Sequence, residues 1–303
     1  MVTPAVTISA FPRRAGRLHP SPLTCKSAGE AGRVLHRGTL AYVAIEAARG
    51  PLVTPVLYGV AGDSVWFLTN RHALKAKVLR RDPRAAWVVP ADGRAAVMTG
   101  VATLFSPSHP IELLASAPRL PSMQAALASW ATRNPRQVAG FLRDSLTDPV
   151  RAMPQDQVLV ELQPDTVAMV DNPTESAPPT RTAQAPHRLT TAVPEALRPL
   201  LFERTGVLAV STGSGPVAVP VRWTPERGLA HLATGHGADL SGDHPACLTI
   251  DEPVHTRPTE QRGLVLRGHA HFIGDNAPVS VHTDRITYWQ GFTINTVDIP
   301  ATK

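Results

Sequence analysis

Cysteine is scarce in this chain, as are aromatic residues and long apolar runs. Only two cysteines occur in 303 residues, Cys25 and Cys247, and they share no spacing motif. A disulfide framework requires an even set of spaced cysteines, and a zinc ribbon requires CxxC pairs. Both classes are therefore excluded, and we expect both thiols to be inert small side chains.

No apolar run approaches the roughly 18–20 residues that a membrane-spanning helix requires. The N-terminal segment has no continuous apolar core and no small-residue cleavage site, so a secretory signal is not expected. Its Arg and Ala content is also found in transit peptides, but we interpret residues 1–24 as a flexible tail. We therefore predict a cytoplasmic protein with no membrane partner.

Aromatic residues make up only 5% of the chain, although its formal net charge is +6. The charge is uneven: residues 1–172 carry 19 basic and 12 acidic side chains, whereas residues 173–303 carry 11 and 12. Nucleic-acid-binding surfaces usually combine basic stripes with aromatic side chains that stack on bases. We therefore expect no nucleic-acid partner.

Motifs of several large enzyme classes are also missing. The chain has no GxSxG, Walker-type loop, HExxH or CxxC, which disfavours hydrolases and NTP-dependent enzymes. His269 and His271 alternate along a predicted strand and so share one face, but no third ligand follows at a useful spacing. We predict surface histidines there and no metal site.

Proline and small polar residues concentrate near the middle of the chain, in a composition typical of a linker. The predicted organisation is a tail at 1–24, a first domain at 25–172, a linker at 173–198 and a second domain at 199–303. Apolar residues recur at helical spacing after prolines in 107–156, which predicts a helical insertion in the first domain. Trp130 in this insertion is expected to pack in the helix core.

The two halves resemble each other. Short runs rich in Val, Leu, Ile and Thr alternate with Gly, Asp and Pro turns in both, which predicts antiparallel strands closed into a small barrel. A diverged internal repeat explains the equivalent positions that the two halves share. These pairs are Pro55 with Pro220, Thr69 with Thr234, Gly100 with Gly268, and Asp165 with Asp284.

A dense basic turn lies between two strand-like runs of the first half. Six Arg and Lys residues fall between Arg71 and Arg84, opposed only by Asp82. The turn fits a solvated helix, a nucleic-acid patch or a cradle for a small anion. Leu74 and Val78, spaced i and i+4, are expected to face the barrel. The later cations, Lys77, Arg80, Arg81 and Arg84, are expected on the solvated side.

The ordered motifs from Leu52 to Val89 resemble the pyridoxamine 5'-phosphate oxidase-like flavin-binding split barrels. Val53, Thr54, Pro55 and Val56 correspond to that family's Thr-Pro-Val strand. The sequence Thr69, Asn70, Arg71 and Lys75, followed by "LRRDPRAAWVV", corresponds to its next strand end and short helix. The resemblance covers residues 25–105 and 158–171 well, and 200–295 more loosely.

The resemblance implies a six-stranded split barrel that binds FMN or, in some branches, a deazaflavin or haem. Such barrels usually pair as dimers with the cofactor in the groove between them. Two fused copies would form that pair within one chain. The expected fold is thus mainly β with helical insertions, as two tandem split β-barrels that form an intramolecular pseudo-dimer. Further homodimerisation remains open.

A dianionic phosphate requires donors in a concave turn together with positive charge. Thr69 offers a hydroxyl group, and we expect Asn70 and Arg71 to offer backbone N–H groups at a helix start. Arg71 can bond bidentately, and Lys75 can supply a mobile charge. The second half keeps Thr234 but lacks equivalent cations, with Asp239 and Asp243 in that region. We therefore expect one competent phosphate site, on the first barrel.

Large aromatic side chains are further candidates for pocket walls. Tyr58, Trp66, Trp223 and Trp289 qualify, although barrel core is the more frequent role for each. The predicted function is that of an FMN-dependent oxidoreductase acting on a small organic substrate, with the insertion as lid or pocket wall and no catalytic side chain nominated. The alternatives are the same fold with deazaflavin or haem, and a non-catalytic cofactor-binding module.

Overall fold

The computed structural model describes residues 25–106, 117–147, 156–173, 187–203, 205–233, 240–252, 260–273, 277–291 and 293–299. The predicted N-terminal tail lies outside these ranges, as do parts of the predicted insertion and linker. Strands form most of the described chain. Within that part, no helix is long and apolar enough to cross a membrane.

The first half forms a closed barrel of six antiparallel strands. Neighbouring strands follow the order β1-β2-β3-β6-β5-β4, and β4 pairs with β1 to close the barrel. Its interior is filled by inward-facing apolar side chains such as Phe67 and Trp87. The strands are β1 (Leu40–Ala47), β2 (Gly50–Ala61), β3 (Ser64–Asn70), β4 (Arg84–Ala91), β5 (Arg94–Phe105) and β6 (Gln157–Asp171).

Two helices flank this barrel. Helix α1 (Cys25–Arg37) packs Val34 and Leu35 into the barrel core. Helix α2 (Leu74–Arg81) follows β3 and buries Ala76, Val78 and Leu79. The expectation that Leu74 faces the barrel is wrong, since 53% of this residue is exposed. Leu74 is the first helical residue, so its side chain projects beyond the face that the following turn presents to the barrel.

The insertion contains helices α3 (Leu120–Arg133) and α4 (Pro135–Thr147), while its segment 107–116 lies outside the described residues. Helix α3 lies against β2. The Val60 N–H group donates to Ser129 Oγ at 2.9 Å, which ties the helix to the strand. Gly59 permits this close approach, because a Cβ there would lie 2.2 Å from the carbonyl oxygen of Ala126.

The second half contains seven strands in the order β11-β10-β7-β8-β9-β12-β13, and β11 also pairs with β12. The β11–β12 pairing closes strands β7 to β12 into a barrel. Its cyclic order, β7-β8-β9-β12-β11-β10, corresponds to the order β1-β2-β3-β6-β5-β4 of the first barrel. The strands are β7 (Thr205–Thr212), β8 (Gly215–Thr224), β9 (Leu229–Leu232), β10 (Gly242–Asp251), β11 (Arg262–Phe272), β12 (Val279–Gln290) and β13 (Thr293–Asp298).

Part of the predicted linker carries regular structure and packs on the second barrel. Helix α5 (His187–Ala192) is followed by a 3-10 helix, Glu195–Phe202. Leu197, Leu200 and Leu201 of the 3-10 helix are buried in the core of the second barrel.

Equivalent bulges occur at the paired positions of the two halves. The register of β5 with β6 shifts at Gly100, and that of β11 with β12 shifts at Gly268. A Cβ at either glycine would lie 2.0 Å from a carbonyl oxygen of the opposite strand. Asp165 and Asp284 are the residues that the two shifts leave without a register partner. The same backbone requirement therefore explains the same residue pattern in both halves.

The two barrels pack against each other through small apolar side chains, among them Ala44, Val53, Val207 and Cys247. The Val53 N–H group donates to Cys247 Sγ at 3.2 Å, and Thr249 Oγ1 donates to the Val53 carbonyl oxygen at 2.6 Å. Burial raises the pKa of Cys247 to about 12, so its thiol remains protonated. These observations confirm the predicted mainly β fold of two tandem split barrels that form an intramolecular pseudo-dimer.

Candidate functional site

A cavity of about 220 Å³, here called the first cavity, lies in the groove between the barrels. The first barrel contributes residues from β2, α2 and α3, and the second contributes residues around the β10 and β11 ends and from β12. Its lining comprises Leu40, Pro55, Val56, Leu57, Leu68, Lys75, Trp130, Gln157, Asp251, Glu252, Gln261, Arg262 and Trp289.

Lys75 brings positive charge to the first cavity. Val78 and Leu79, one helical turn further along α2, are buried, so Lys75 shares their inward face. Its ammonium group lies 5.3 Å from the centre of the Phe67 ring, a cation–π contact. Burial lowers the pKa of Lys75 to about 7, because within the described residues no carboxylate offsets the desolvation of the charge.

A second cation of the first cavity, Arg262, is already paired. Its guanidinium group donates to the Glu252 carboxylate and, at 3.4 Å, to the carbonyl oxygen of Ala196. Both Arg262 and Glu252 line the cavity. Because this carboxylate neutralises the guanidinium, Lys75 is the stronger attractor for an anionic ligand.

Two tryptophans, one from each half, give the first cavity aromatic walls. Trp130 comes from α3 and Trp289 from β12. Gly263 on β11 makes room for the second indole, since a Cβ at Gly263 would lie 2.2 Å from Trp289 Cζ2. The cavity therefore combines flat apolar surfaces with a cation, Lys75, that has no carboxylate partner in the described part of the chain.

Asp251 stands between the first cavity and a second one, because it lines both. Its Oδ1 accepts a hydrogen bond from the Tyr42 hydroxyl group of the other barrel at 2.8 Å. Burial raises the pKa of Asp251 to about 6, although this hydrogen bond acts in the opposite direction. Burial and the neighbouring carboxylate raise the pKa of Tyr42, so its hydroxyl group stays protonated.

The predicted site residues separate into two groups. Pro55, Val56 and Lys75 come together at the first cavity. Val53 is fully buried between the barrels, where its backbone groups bond to the second barrel. Thr54 does not line the cavity, and its Oγ1 is buried without a hydrogen-bond partner within the described part of the chain. Two of the four predicted residues of this strand therefore line the first cavity.

The predicted strand-end donors, Thr69, Asn70 and Arg71, lie outside the lining of the first cavity. The Arg71 N–H group donates to the Asp156 carbonyl oxygen at 2.8 Å, and the Arg71 guanidinium group lies 3.9 Å from the Asp156 carboxylate. Asn70 Oδ1 accepts from the His72 N–H group. The expected donation by the Arg71 N–H group is therefore wrong, because the chain uses this donor to close its own turn.

Other expectations for the basic turn are confirmed. Lys77, Arg80, Arg81 and Arg84 are exposed, as predicted for a solvated cationic side. In the second half, Thr234 and Asp239 lie outside the described residues. Asp243 is exposed and accepts a hydrogen bond from His271 at 2.9 Å.

The sequence did not identify several residues of the first cavity. Trp130 was expected in the helix core but lines the cavity, whereas Tyr58, Trp66 and Trp223 are buried core residues. The position of Trp130 follows from the close contact of α3 with β2 at Gly59, and local sequence patterns do not predict that contact. His269 and His271 are exposed, as expected, and the described residues contain no group of three metal-ligating side chains.

Comparisons with solved structures match about half of this chain at a time. No protein-family model matches the sequence, and no curated protein matches it either. A pyridoxamine 5'-phosphate oxidase-related, FMN-binding protein from Nostoc punctiforme shares 21% identity over 47% of this chain and 82% of its own, with a TM-score of 0.34. At such a TM-score the likeness carries no argument about ligand or activity.

Two further matches are of the same kind. A FAD-binding protein from Mesorhizobium loti shares 16% identity over 47% of this chain and 93% of its own, with a TM-score of 0.35. A conserved hypothetical protein from Mycobacterium tuberculosis shares 19% identity over 50% of this chain and 92% of its own, with a TM-score of 0.35. Each aligns nearly whole with one part of this chain, and the fold assignment itself rests on the strand pairing described above.

Proposed function

We propose that the chain binds one FMN in the first cavity and acts as an oxidoreductase on a small organic substrate in the cytoplasm. The observation that carries the proposal is the ammonium group of Lys75, a desolvated charge in a cavity that two tryptophans also line, without a carboxylate partner among the described residues. A buried cation without a counter-charge is costly, and an anionic ligand removes that cost. The phosphate group is the expected counter-charge.

The remaining surfaces of the first cavity suit a flat heterocycle. Trp130 and Trp289 provide apolar faces against which a ring can stack. The side-chain amides of Gln157 and Gln261 can both donate and accept, as the polar edge of a flavin requires. Pro55 and Val56 supply the strand that the family resemblance assigns to the ring.

The flavin, when bound, supplies the hydride chemistry, and the protein orients it and excludes water. Helix α3 contributes Trp130 to the wall of the first cavity, which supports a role of the insertion in covering a substrate. The site draws residues from both barrels of a single chain, and a further homodimer is not needed to complete it.

Two alternatives keep the fold. A deazaflavin satisfies the same aromatic walls and the same cation. Haem fits less well, because the described lining of the first cavity contains no His, Cys or Met that could ligate iron. A non-catalytic module would bind FMN without turnover. An absorbance spectrum of the purified protein, followed by mass spectrometry of the released ligand, separates these cases, and a colourless protein that FMN does not stabilise would contradict the proposal.

The affinity for FMN is expected to fall as the pH rises. An anion binds the protonated form of Lys75, whose pKa in the free protein is about 7. Above that pH the protein must take up a proton to bind, so the dissociation constant should increase by up to about tenfold per pH unit. Fluorescence titration between about pH 7 and pH 9 measures this slope.

Two controls accompany this pH series. Riboflavin has the same ring but no phosphate, so its affinity should be nearly independent of pH over that range. Lys75→Arg keeps a positive charge throughout, and its FMN affinity should lose the slope. Parallel curves for FMN and riboflavin in the wild-type protein would show that Lys75 does not hold the phosphate.

Gly263→Ala is expected to weaken FMN binding while the protein remains folded. The added Cβ meets the Trp289 ring, which can rotate away but then moves from its place at the cavity wall. We expect a loss of affinity of about three- to tenfold, consistent with a disturbed stacking contact. Gly213→Ala is the matched control, because nothing lies within 4 Å of its Cβ. Equal FMN affinity in both variants would contradict the role of Trp289.

A further inference from the structure

A second cavity of about 220 Å³ lies in the same groove and is built from the repeat-equivalent surface of the other barrel. Pro220 and Val221 occupy in it the positions that Pro55 and Val56 occupy in the first cavity. Its described lining comprises Tyr42, Val88, Pro90, Asn172, Pro173, Thr205, Gly206, Val207, Pro220, Val221 and Asp251.

The two cavities differ in their charged groups: the described lining of the first contains two cations and two carboxylates, whereas that of the second contains no cation. Its described lining contains no Lys or Arg, and its one charged group is the carboxylate of Asp251. An anionic ligand would meet repulsion here, whereas a cation would be attracted.

Asn172 adds a second acceptor to the second cavity. Its Oδ1 is buried and has no hydrogen-bond partner within the described part of the chain. A buried acceptor without a donor costs about 1–3 kcal/mol, so a ligand donor that reaches this oxygen is favoured. The Tyr42 hydroxyl group is not that donor, because it already bonds to Asp251.

The remaining walls of the second cavity are apolar. Val88, Val207, Pro220 and Val221 give it surfaces that favour a compact hydrocarbon or aromatic group. We propose that the second cavity binds a small organic cation, an ammonium group carried on a compact apolar body, with Asp251 and Asn172 as its acceptors. This assignment does not depend on FMN binding in the first cavity.

Benzylamine and benzyl alcohol are matched probes for this site, since they share the ring and differ in charge. Titration of the full-length protein by calorimetry at about pH 8 keeps Asp251 ionised. We expect benzylamine to bind at least about tenfold more tightly than benzyl alcohol, because its bond to the carboxylate is charge-assisted. No binding of benzylamine, or equal or tighter binding of the alcohol, would overturn the proposal.

Two variants locate the binding. Asn172→Leu changes a residue that lines only the second cavity, and Asp251→Asn removes the charge with little change of shape. Each is expected to weaken benzylamine binding by about tenfold or more. If Asp251→Asn fails to fold, Thr205→Trp, which fills the exposed rim, replaces it. If benzylamine affinity is unchanged in Asn172→Leu and also in Asp251→Asn or its replacement Thr205→Trp, the ligand binds elsewhere and the proposal is wrong.

Lys75→Met separates this proposal from the one for FMN. It should leave benzylamine binding unchanged, because Lys75 does not line the second cavity, while it weakens FMN binding. Tighter benzylamine binding in this variant would assign the amine to the first cavity, where removal of the Lys75 charge relieves repulsion, and would overturn the inference.

Discussion

Lys75→Met is expected to stabilise the ligand-free protein and to weaken FMN binding. Unfolding restores the pKa of Lys75 from about 7 to its ordinary value of 10.5, so the unfolded chain binds more protons between these values and stability rises with pH there. Below about pH 7 both states carry the charge, and its full burial cost is present. Removing the charge at that pH should raise the free energy of unfolding by about 1–3 kcal/mol, with allowance for the accessible part of the side chain.

The same substitution removes the proposed counter-charge of the phosphate group. A charge-assisted hydrogen bond contributes about 1.5–3 kcal/mol, which corresponds to a loss of FMN affinity of roughly 10- to 100-fold. Urea unfolding at about pH 6.5 and pH 10, together with fluorescence titration, measures both effects. The gain in stability should be nearly absent at the higher pH.

Lys77→Met is the matched control, because Lys77 lies on the exposed side of the same helix. It should change neither stability nor affinity by more than about 0.5 kcal/mol. A Lys75→Met protein that is less stable than the wild type below pH 7 would show that the ammonium group has a stabilising partner. That result would contradict the main argument for an anion site.

Gly59→Ala is expected to have the largest effect on stability of any single methyl addition considered for this site. The new Cβ would lie 2.2 Å from the Ala126 carbonyl oxygen and 2.7 Å from the Trp130 nitrogen, both backbone atoms of α3. Backbone cannot rotate away as a side chain can, so the helix must move off β2. We expect a loss of about 3 kcal/mol in the free energy of unfolding.

Displacement of α3 also moves Trp130 from the first cavity, so FMN affinity should fall in any Gly59→Ala protein that folds. Gly32→Ala is the control: this glycine lies in α1, and nothing lies within 4 Å of its Cβ. Because Ala favours helix over Gly, the control should be slightly more stable than the wild type. Similar melting temperatures for both variants would show that α3 is not packed closely on β2.

Much of the fold could be predicted because the two halves of the chain share the same pattern of residues. Gly100 and Gly268 recur because each bulge brings an opposite carbonyl oxygen to 2.0 Å from the missing Cβ. Pro55 and Pro220 recur on equivalent strands, each at a cavity of the groove. Such pairs are visible in the sequence, because the same backbone geometry at equivalent positions requires the same residue in both halves.

The candidate site was only partly predictable. Lys75 was identified, and its inward position follows from its i+3 and i+4 neighbours, Val78 and Leu79. The backbone N–H group of Arg71 was predicted to donate to a phosphate group. In the structure it donates to the Asp156 carbonyl oxygen instead. That hydrogen bond joins residues 85 positions apart, so it cannot be predicted from local residue spacing.

Residues that reach the site from the other barrel were the most difficult to predict. Asp251 and Trp289 belong to the second half, yet they line the cavity that holds Lys75. Their role depends on how the barrels pack, through small side chains such as Ala44 and Val207 that show no functional pattern. The hydrogen bond from Tyr42 to Asp251 spans this interface and is visible only in three dimensions.

The most direct test of the central claim is the stoichiometry and site of FMN binding. Calorimetric titration of the ligand-free, full-length protein should give one FMN per chain, because only the first cavity offers an unpaired cation within the described residues. Binding should weaken strongly in Lys75→Met and remain unchanged in Lys77→Met. Two equivalent FMN sites per chain, or one site whose affinity is the same in all three proteins, would contradict the account.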